Sequence, residues 1–309
     1  MIQESFLVHP RSPFRLDLTV WALRRRATNR IDWWDGTHYT RIFVVDSVPA
    51  KVCVSQQQTD NKPELLVKVW SPAPVEQVSS RIREALQRMF GLQVDVTGFY
   101  TLAEKDHLLS PLAQHFLGLK PPRFPSLFEA LLNAFACQQV SLDVGIMLLN
   151  RLTATYGMKF DDGQAVFSAF PEPAALANTS LERIRTLGFS HQKARAITEL
   201  ATTLVNNQRD FSILESMNGE EVKISLSSLR GVGRWTAEYV LLRGLGRLDT
   251  FPGDDVGAQK NLQQLLHLEE KPSYEKVKEL TSPWHPFAGF VYFHLLLDKL
   301  DKQGILSQA

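Results

Sequence analysis

Two adjacent carboxylates, Asp254 and Asp255, follow a proline–glycine stop in the run Phe251-Pro252-Gly253-Asp254-Asp255-Val256-Gly257. An aspartate at a helix start is an ordinary N-cap. Two in succession leave one in excess. Asp254 is expected to cap, and Asp255 to sit in the first turn, where the helix dipole favours its anionic form. A carboxylate held that way can stabilise a cation developing in a transition state, or align and deprotonate water. Upstream lies Leu229-Arg230-Gly231-Val232-Gly233 between two helical patterns. Two glycines around one apolar residue allow a tight hairpin between helices. The second helix starts at Gly233 or Arg234, so its free N–H groups and positive dipole end offer an anion site that a phosphate can approach closely. A plain helix–helix turn is the other reading of this segment. A dinucleotide fingerprint is excluded, because Thr236 stands where Gly or Ala is needed and a helix precedes the glycines instead of a strand.

These residues need a scaffold, and the chain supplies two kinds. Phe14, Leu16, Leu18 and Val20 alternate with Arg15, Asp17 and Thr19, the period of a half-buried strand. Arg41–Val45, Ala50–Ser55 and Leu65–Val69 are rich in Val, Ile and Leu, the last bounded by turn-like NKP and SPAP stretches. Val75, Val78, Ile82, Leu86 and Met89 recur at helical spacing, and Gly91 is a stop. GLKPPRFPS, from Gly118 to Ser126, reads as a linker or domain edge. Beyond it strand periodicity disappears. Helices are expected at Ser126–Ala136, Ser141–Tyr156, Ser180–Leu187, His191–Asn206, Gly219–Leu229, Arg234–Leu245, Asp254–Leu266, Ser273–Leu280 and Phe287–Leu300, with Ser126 and Glu129 forming a capping box. The fold class expected is α+β: a mixed α/β domain over residues 1–118, then an all-α domain over 119–309.

Composition narrows the function. A chain of 309 residues with 44% hydrophobic and 22% charged residues suits a folded protein of about two domains. No apolar run is long enough to span a membrane, and no signal peptide is read at the N-terminus, so a cytoplasmic location is expected. Cys53 and Cys137 cannot make a four-cysteine metal or cluster site, and they read as buried free thiols of a reducing compartment. No HExxH or paired histidine spacing calls for a catalytic metal. A net charge of +1 argues against a strongly basic nucleic-acid wrapper. A hairpin grip is compatible with that charge, because it holds the backbone largely through main-chain groups. Arg24-Arg25-Arg26 with Arg30 reads as a solvated strand end, with phosphate contact as the alternative. Trp33-Trp34 is expected to pack the N-terminal domain.

In combination, these motifs resemble the helix-hairpin-helix DNA glycosylase superfamily, nearest its bacterial 3-methyladenine DNA glycosylase II branch. Phe128-Glu129-Ala130 through Cys137-Gln138-Gln139-Val140-Ser141 resembles the family's helix pair with its Gln-x-Val-Ser turn. Leu229 to Tyr239 resembles its hairpin, and Asp249-Thr250-Phe251-Pro252 through Asp255 its catalytic loop. The α/β stretch before Gly118 resembles the extra N-terminal domain of this branch. The resemblance implies an antiparallel sheet there, and a helical domain of two lobes with the active site between them.

The resemblance also implies roles. Asp255 matches the catalytic aspartate. Trp235 stands where bifunctional relatives carry a lysine, so no Schiff base can form there and a monofunctional hydrolase is implied. Trp235, Tyr239 and Trp284 match a base pocket. Gln139 matches the wedge that fills the gap left by a flipped base. Gly231, Gly233, Arg234 and Thr236 match the DNA-gripping hairpin. The carbonyls of Ser227, Leu229 and Val232 match those holding a monovalent cation, Na+ or K+, against phosphate. No cofactor is implied for the chemistry. The partner implied is double-stranded DNA with alkylated bases, the location the nucleoid, and the state a monomer. The sequence departs from the family at Asp254, where many relatives have a small residue, and at Gln139, where some have an apolar wedge. The competing readings are a non-catalytic DNA-binding protein with the same hairpin, or a sister glycosylase for oxidised or deaminated bases. Asp255 beside an aromatic pocket separates the enzyme from the binder.

Overall fold

The computed structural model describes residues 2–58, 62–72 and 75–306. Asn61, Ala73 and Pro74, parts of the expected flanking turns, lie outside the described residues, as does the side chain of Val75.

Five strands, β1 (Ile2–Val8), β2 (Trp33–Trp34), β3 (His38–Val45), β4 (Val48–Gln58) and β5 (Glu64–Ser71), form an antiparallel sheet in the order β1-β5-β4-β3-β2. Val52, Val54, Leu65, Val67 and Val69 are buried at every second position, as a sheet covered on one face requires. Helix α2 (Val75–Met89) packs on it through Val78, Ile82, Leu86 and Met89, and Gly91 follows in the left-handed region at φ 57°. The three expected Val-, Ile- and Leu-rich runs are β3, β4 and β5, and β1 and β2 are additional to them.

The segment expected as a strand around Leu16–Val20 is instead helix α1, Leu16–Arg24. The cause lies in its burial. Leu16, Val20 and Leu23 face a core shared with the sheet, while Leu18, Trp21 and Ala22 face a second core shared with the C-terminal helices. Each set has helical spacing. Superposed, they imitate a period of two.

Two short helices, α3 (Thr97–Ala103) and α4 (Leu109–His115), precede the linker. Beyond it come α5 (Leu127–Cys137), α6 (Leu142–Tyr156), α7 (Pro173–Ala177), α8 (Leu181–Arg185) and α9 (His191–Val205). Then follow α10 (Gly219–Ser227), α11 (Arg234–Val240), α12 (Val256–Leu265), α13 (Tyr274–Thr281) and α14 (Ala288–Lys302). The region is not wholly helical, because β6 (Lys159–Asp161) and β7 (Val166–Ser168) form a small hairpin between α6 and α7. Three-residue strands are too short to carry a visible alternation.

The expected capping box at Ser126 is half made. The Ser126 side chain accepts from Glu129 N–H at 3.1 Å, but the Glu129 carboxylate turns inward to Arg41 Nη2 at 2.5 Å. Arg41 also binds Asp32 at 2.8 Å, and all three groups are buried. Burial raises the Glu129 carboxyl above its ordinary range, an effect that Arg41 opposes. A buried guanidinium from β3 therefore joins the sheet to α5, because an inward carboxylate is tolerated only with such a partner.

Candidate active site

A cleft of about 1440 Å³ is lined by residues from the α1 end, the α5–α6 turn, the α10–α11 hairpin, the Asp254-Asp255 loop and α14. The hairpin opens with α10, whose Asn218–Glu221 capping box fixes its start. Gly231 lies in the left-handed region at φ 79°, and a Cβ there would meet Ala196 Cβ at 3.1 Å. Gly233 differs. It is extended at φ −102°, and an added Cβ would meet nothing within 4 Å. No side chain caps α11, so its first-turn N–H groups are left for an outside acceptor.

Gln138 ties the α5–α6 turn to this hairpin. Its side-chain amide donates to Gly231 O at 2.7 Å and to Thr236 Oγ1 at 2.8 Å. Thr236 is thus buried, with its hydroxyl taken by Gln138. Lys193 Nζ donates to Ala136 O and Gln138 O, closing the end of α5. The next residue, Gln139, is exposed with φ 54°, a left-handed backbone at a non-glycine position on the cleft rim. Such conformations concentrate at functional turns.

The expected division of labour within the aspartate pair does not hold, because Asp255 and not Asp254 is the cap. Asp255 is the N-cap of α12, its Oδ1 accepting from Ala258 N–H at 2.9 Å. Its Oδ2 accepts from Trp235 Nε1 at 3.3 Å and from Tyr292 Oη at 3.4 Å. Cap and cleft-facing carboxylate are one group. Asp254 instead holds Arg234, whose guanidinium also lies 3.6 Å over the Tyr274 ring. Arg234 is therefore already countered by a carboxylate. Burial, then the Asp255 charge, raises the Tyr292 phenol well above its ordinary value, so it stays a donor to the carboxylate.

Other groups fix the loop. Glu238 of α11 accepts from Gly253 N–H at 3.1 Å and from Tyr274 Oη at 2.6 Å, and Gln259 Nε2 donates to Gly253 O at 2.8 Å. Helix α11, which follows the hairpin, thus also clamps the segment carrying Asp255. Trp235 and Tyr239 lie with ring centres 5.2 Å apart at 32°, one helical turn apart on the cleft side. Tyr239 Oη accepts from Arg25 Nη1 at 2.9 Å.

Trp284 does not join them. It is buried in the second core, and its Nε1 donates to Asp106 Oδ2 at 2.9 Å. The aromatic that α14 brings to the carboxylate is Tyr292, eight positions later. The arginine run is not a solvated strand end either. Arg24 and Arg25 are buried at the C-terminus of α1, and Arg26 pairs with Asp143. Trp33 is 42% exposed and meets Phe167 edge-on, while Trp34 packs against the core. Cys53 and Cys137 are free and only partly buried. Among the described residues, no group of three or more His, Cys, Asp or Glu could hold a metal, and no helix is long and apolar enough to cross a membrane.

Residues 132–286 match the family described as HhH-GPD superfamily base excision DNA repair protein, and residues 6–126 match the AlkA N-terminal domain. The chain belongs to the HhH-GPD superfamily of base excision DNA repair proteins, in the branch that carries this N-terminal domain. It is similar to a DNA-3-methyladenine glycosylase of Bacillus subtilis, at 28% identity over 257 residues, 83% of this chain and 84% of that one. Among solved structures, it resembles a 3-methyladenine DNA-glycosylase from Archaeoglobus fulgidus, with TM-score 0.79 and 25% identity over 94% of this chain and 97% of that one. The fold is also shared by a Schizosaccharomyces pombe 3-methyladenine DNA glycosylase solved with abasic DNA, at 23% identity and TM-score 0.56, which covers 65% of this chain and 95% of that one.

Proposed function

We propose that Asp255 is the catalytic carboxylate of a monofunctional DNA glycosylase for alkylated purines. The observation that carries this reading is one carboxylate oxygen in a cleft, shared between Trp235 and Tyr292, beside the Trp235–Tyr239 aromatic pair. The relatives' names support the substrate class: both the B. subtilis protein and the A. fulgidus structure are called 3-methyladenine glycosylases.

An enzyme that acts on a base within duplex DNA must first extrude it, and damaged pairs resist least. Gly231 permits the left-handed turn and Gly233 lets the backbone approach the hairpin, while Gln139 enters the stack behind the departed base. The C1′–N bond then breaks with its electron pair leaving on the base. Asp255 stabilises the cationic sugar and takes a proton from the water that adds to C1′. An alkylated purine such as 7-methylguanine carries its own positive charge and leaves without a proton donor. The ring faces of Trp235 and Tyr239 favour such a base. Trp235 offers no amine, so the product is an abasic site and an intact strand.

For this work residues 1–118 act as the N-terminal unit and 119–309 as a helical unit whose lobes flank the cleft. The protein acts as a monomer on nucleoid DNA. No cofactor enters the chemistry. The carbonyls of Ser227, Leu229 and Val232 would hold Na+ or K+ against a phosphate. Leu229 O also closes the turn by accepting from Val232 N–H at 3.2 Å. The test is single-turnover release from matched duplexes, with spontaneous loss subtracted. 3-Methyladenine and 7-methylguanine should leave well ahead of uracil and 8-oxoguanine. The reverse order would overturn the reading.

A further inference from the structure

The cleft must admit a polyanion, yet three carboxylates line it, Asp143, Asp254 and Asp255. Arg26 pairs with the first and Arg234 with the second. Asp255 is held by neutral donors: Ala258 N–H, Trp235 and Tyr292. Its charge therefore repels the phosphates of the nucleotide it acts on. Among the described residues, seven basic side chains also line the cleft. Those near the hairpin are engaged inside the protein. Arg230 pairs with Glu199, Arg234 with Asp254, and Lys193 holds carbonyls at the end of α5. Arg25 and Arg26, at the end of α1, are bound in the same way.

Two cations remain, and the fold brings their helices together. Lys260 belongs to α12 and Lys299 to α14, which pack on each other and are tied by Asn261 Nδ2 donating to Leu295 O at 3.3 Å. Neither ammonium has a hydrogen bond or an ion pair among the described residues. Lys260 follows Val256 by one turn of α12, and Lys299 follows Leu296 by one turn of α14, and all four residues line the cleft. Lys302, the next basic residue of α14, turns instead to Asp298 at 2.6 Å. Lys260 lies about 7.5 Å along the helix axis from Asp255. An ammonium on a flexible stem is thus carried past the point where C1′ must lie, and a phosphate is the anion that such a compact point charge takes.

We propose that Lys260 and Lys299 form a second backbone-phosphate subsite, carried by α12 and α14 and separate from the hairpin, that holds the damaged strand on the far side of the target nucleotide. The inference rests on the glycosylase reading and deepens it. The hairpin takes one flank through main-chain N–H groups, and the two ammonium groups take the other through charge. The nucleotide between the two holds is the one free to turn out toward Asp255. The lysines also offset the repulsion that Asp255 exerts on the strand, and they do so without an ion pair to the carboxylate. Such contacts fix register and orientation and read no sequence.

The test measures binding of the intact protein to a duplex carrying a tetrahydrofuran abasic analogue, over a range of salt concentrations. The proteins are wild type, Lys260→Met, Lys299→Met, the double variant, Lys260→Arg, and Lys302→Met as a control with the same change of charge. Each cleft substitution to Met should weaken binding about 2- to 5-fold. Each should also flatten the slope of log affinity against log salt by about 0.9, while Lys302→Met leaves the slope unchanged and Lys260→Arg keeps it. A neutral methylphosphonate is then placed at successive linkages of the lesion strand. In wild type, neutral linkages on both flanks of the analogue should weaken binding. In the double variant, those on one flank should cease to matter, while those on the hairpin flank still do. An unchanged slope, or linkages that matter equally in both proteins, would overturn the proposal. So would a loss of sensitivity confined to linkages of the complementary strand. Release of 7-methylguanine by the same wild-type preparation would leave the glycosylase reading standing in those cases, and release of no alkylated base would sink that reading itself.

Discussion

Arg234 grips Asp254 with both arms, Nε to Oδ2 at 2.6 Å and Nη2 to Oδ1 at 3.1 Å, and so bolts the hairpin helix to the loop that carries the next residue, Asp255. The two neighbouring aspartates are thereby given separate tasks. One holds the loop, and the other faces the cleft.

Substitution should resolve those tasks. Asp255→Asn removes the charge but keeps the shape, and Asn still caps a helix. Base excision should fall at least ~100-fold, about 2.7 kcal/mol of barrier, with duplex binding retained. Asp254→Asn breaks only an exposed ion pair, worth at most ~1 kcal/mol, and should change excision less than ~5-fold. A gel-based excision assay with binding measured in parallel would reveal an exchange of effects.

Tyr292 donates to the same carboxylate oxygen. Tyr292→Phe removes one hydrogen bond of about 0.5–1.5 kcal/mol, so kcat should drop roughly 2- to 12-fold with KM nearly constant. A rise in KM alone would place Tyr292 against the substrate and not behind Asp255.

The hairpin glycines should separate folding from binding. Gly231→Val forces a branched residue into a left-handed turn against Ala196 and should lower stability by about 1–3 kcal/mol. Gly233→Val meets no neighbour in the protein and an ordinary backbone, so its melting temperature should hold. It should weaken binding to damaged and undamaged duplex alike by obstructing a phosphate. Loss confined to one lesion would move Gly233 into base recognition.

Borohydride present during turnover should trap no protein–DNA adduct, because no lysine lies between Leu229 and Tyr239. An adduct forming at the turnover rate would show that a lysine elsewhere in the cleft attacks C1′.

His294 offers a test of stability against pH. It is wholly buried among Phe99, Phe116 and Phe290, and burial lowers its imidazole to about 4 from 6.5. The unfolded chain therefore binds the proton more readily. Its contribution is complete above pH 6.5 and is lost as pH falls towards 4, about 3 kcal/mol in all. His294→Phe should flatten that part of the profile in urea unfolding measured at pH 7 and pH 4.5. Parallel curves for the two proteins would contradict it.

What the sequence discloses depends on whether a signal is local. Strands β3 to β5, α2 and the helices beyond Ser126 other than the five-residue α7 follow from period and caps, which neighbours in the chain supply. Helix α1 does not, since two cores bury both its faces and erase the polar stripe. The Gly-Val-Gly hairpin and the aspartate pair are visible as spacing. Which aspartate caps is not, because the choice depends on Arg234 reaching over from the hairpin. Trp284 and Tyr292 show the same limit. Both are aromatic residues near the C-terminus, and only the packing of α14 decides which one meets Asp255. The arginine run looked solvated because the Tyr239 and Asn133 that receive Arg25 lie more than a hundred residues away.

The Arg41–Glu129 pair has a consequence for how such proteins can be divided. Family boundaries cut this chain between residues 126 and 132, close to Glu129, as though two pieces had been joined. Glu129 is nearly inaccessible and draws its counter-charge from the other piece. A helical half expressed alone would carry an orphaned carboxylate in its longest-buried helix. The two matched segments are therefore wired together by charge, and separating them takes the counter-ion away from Glu129.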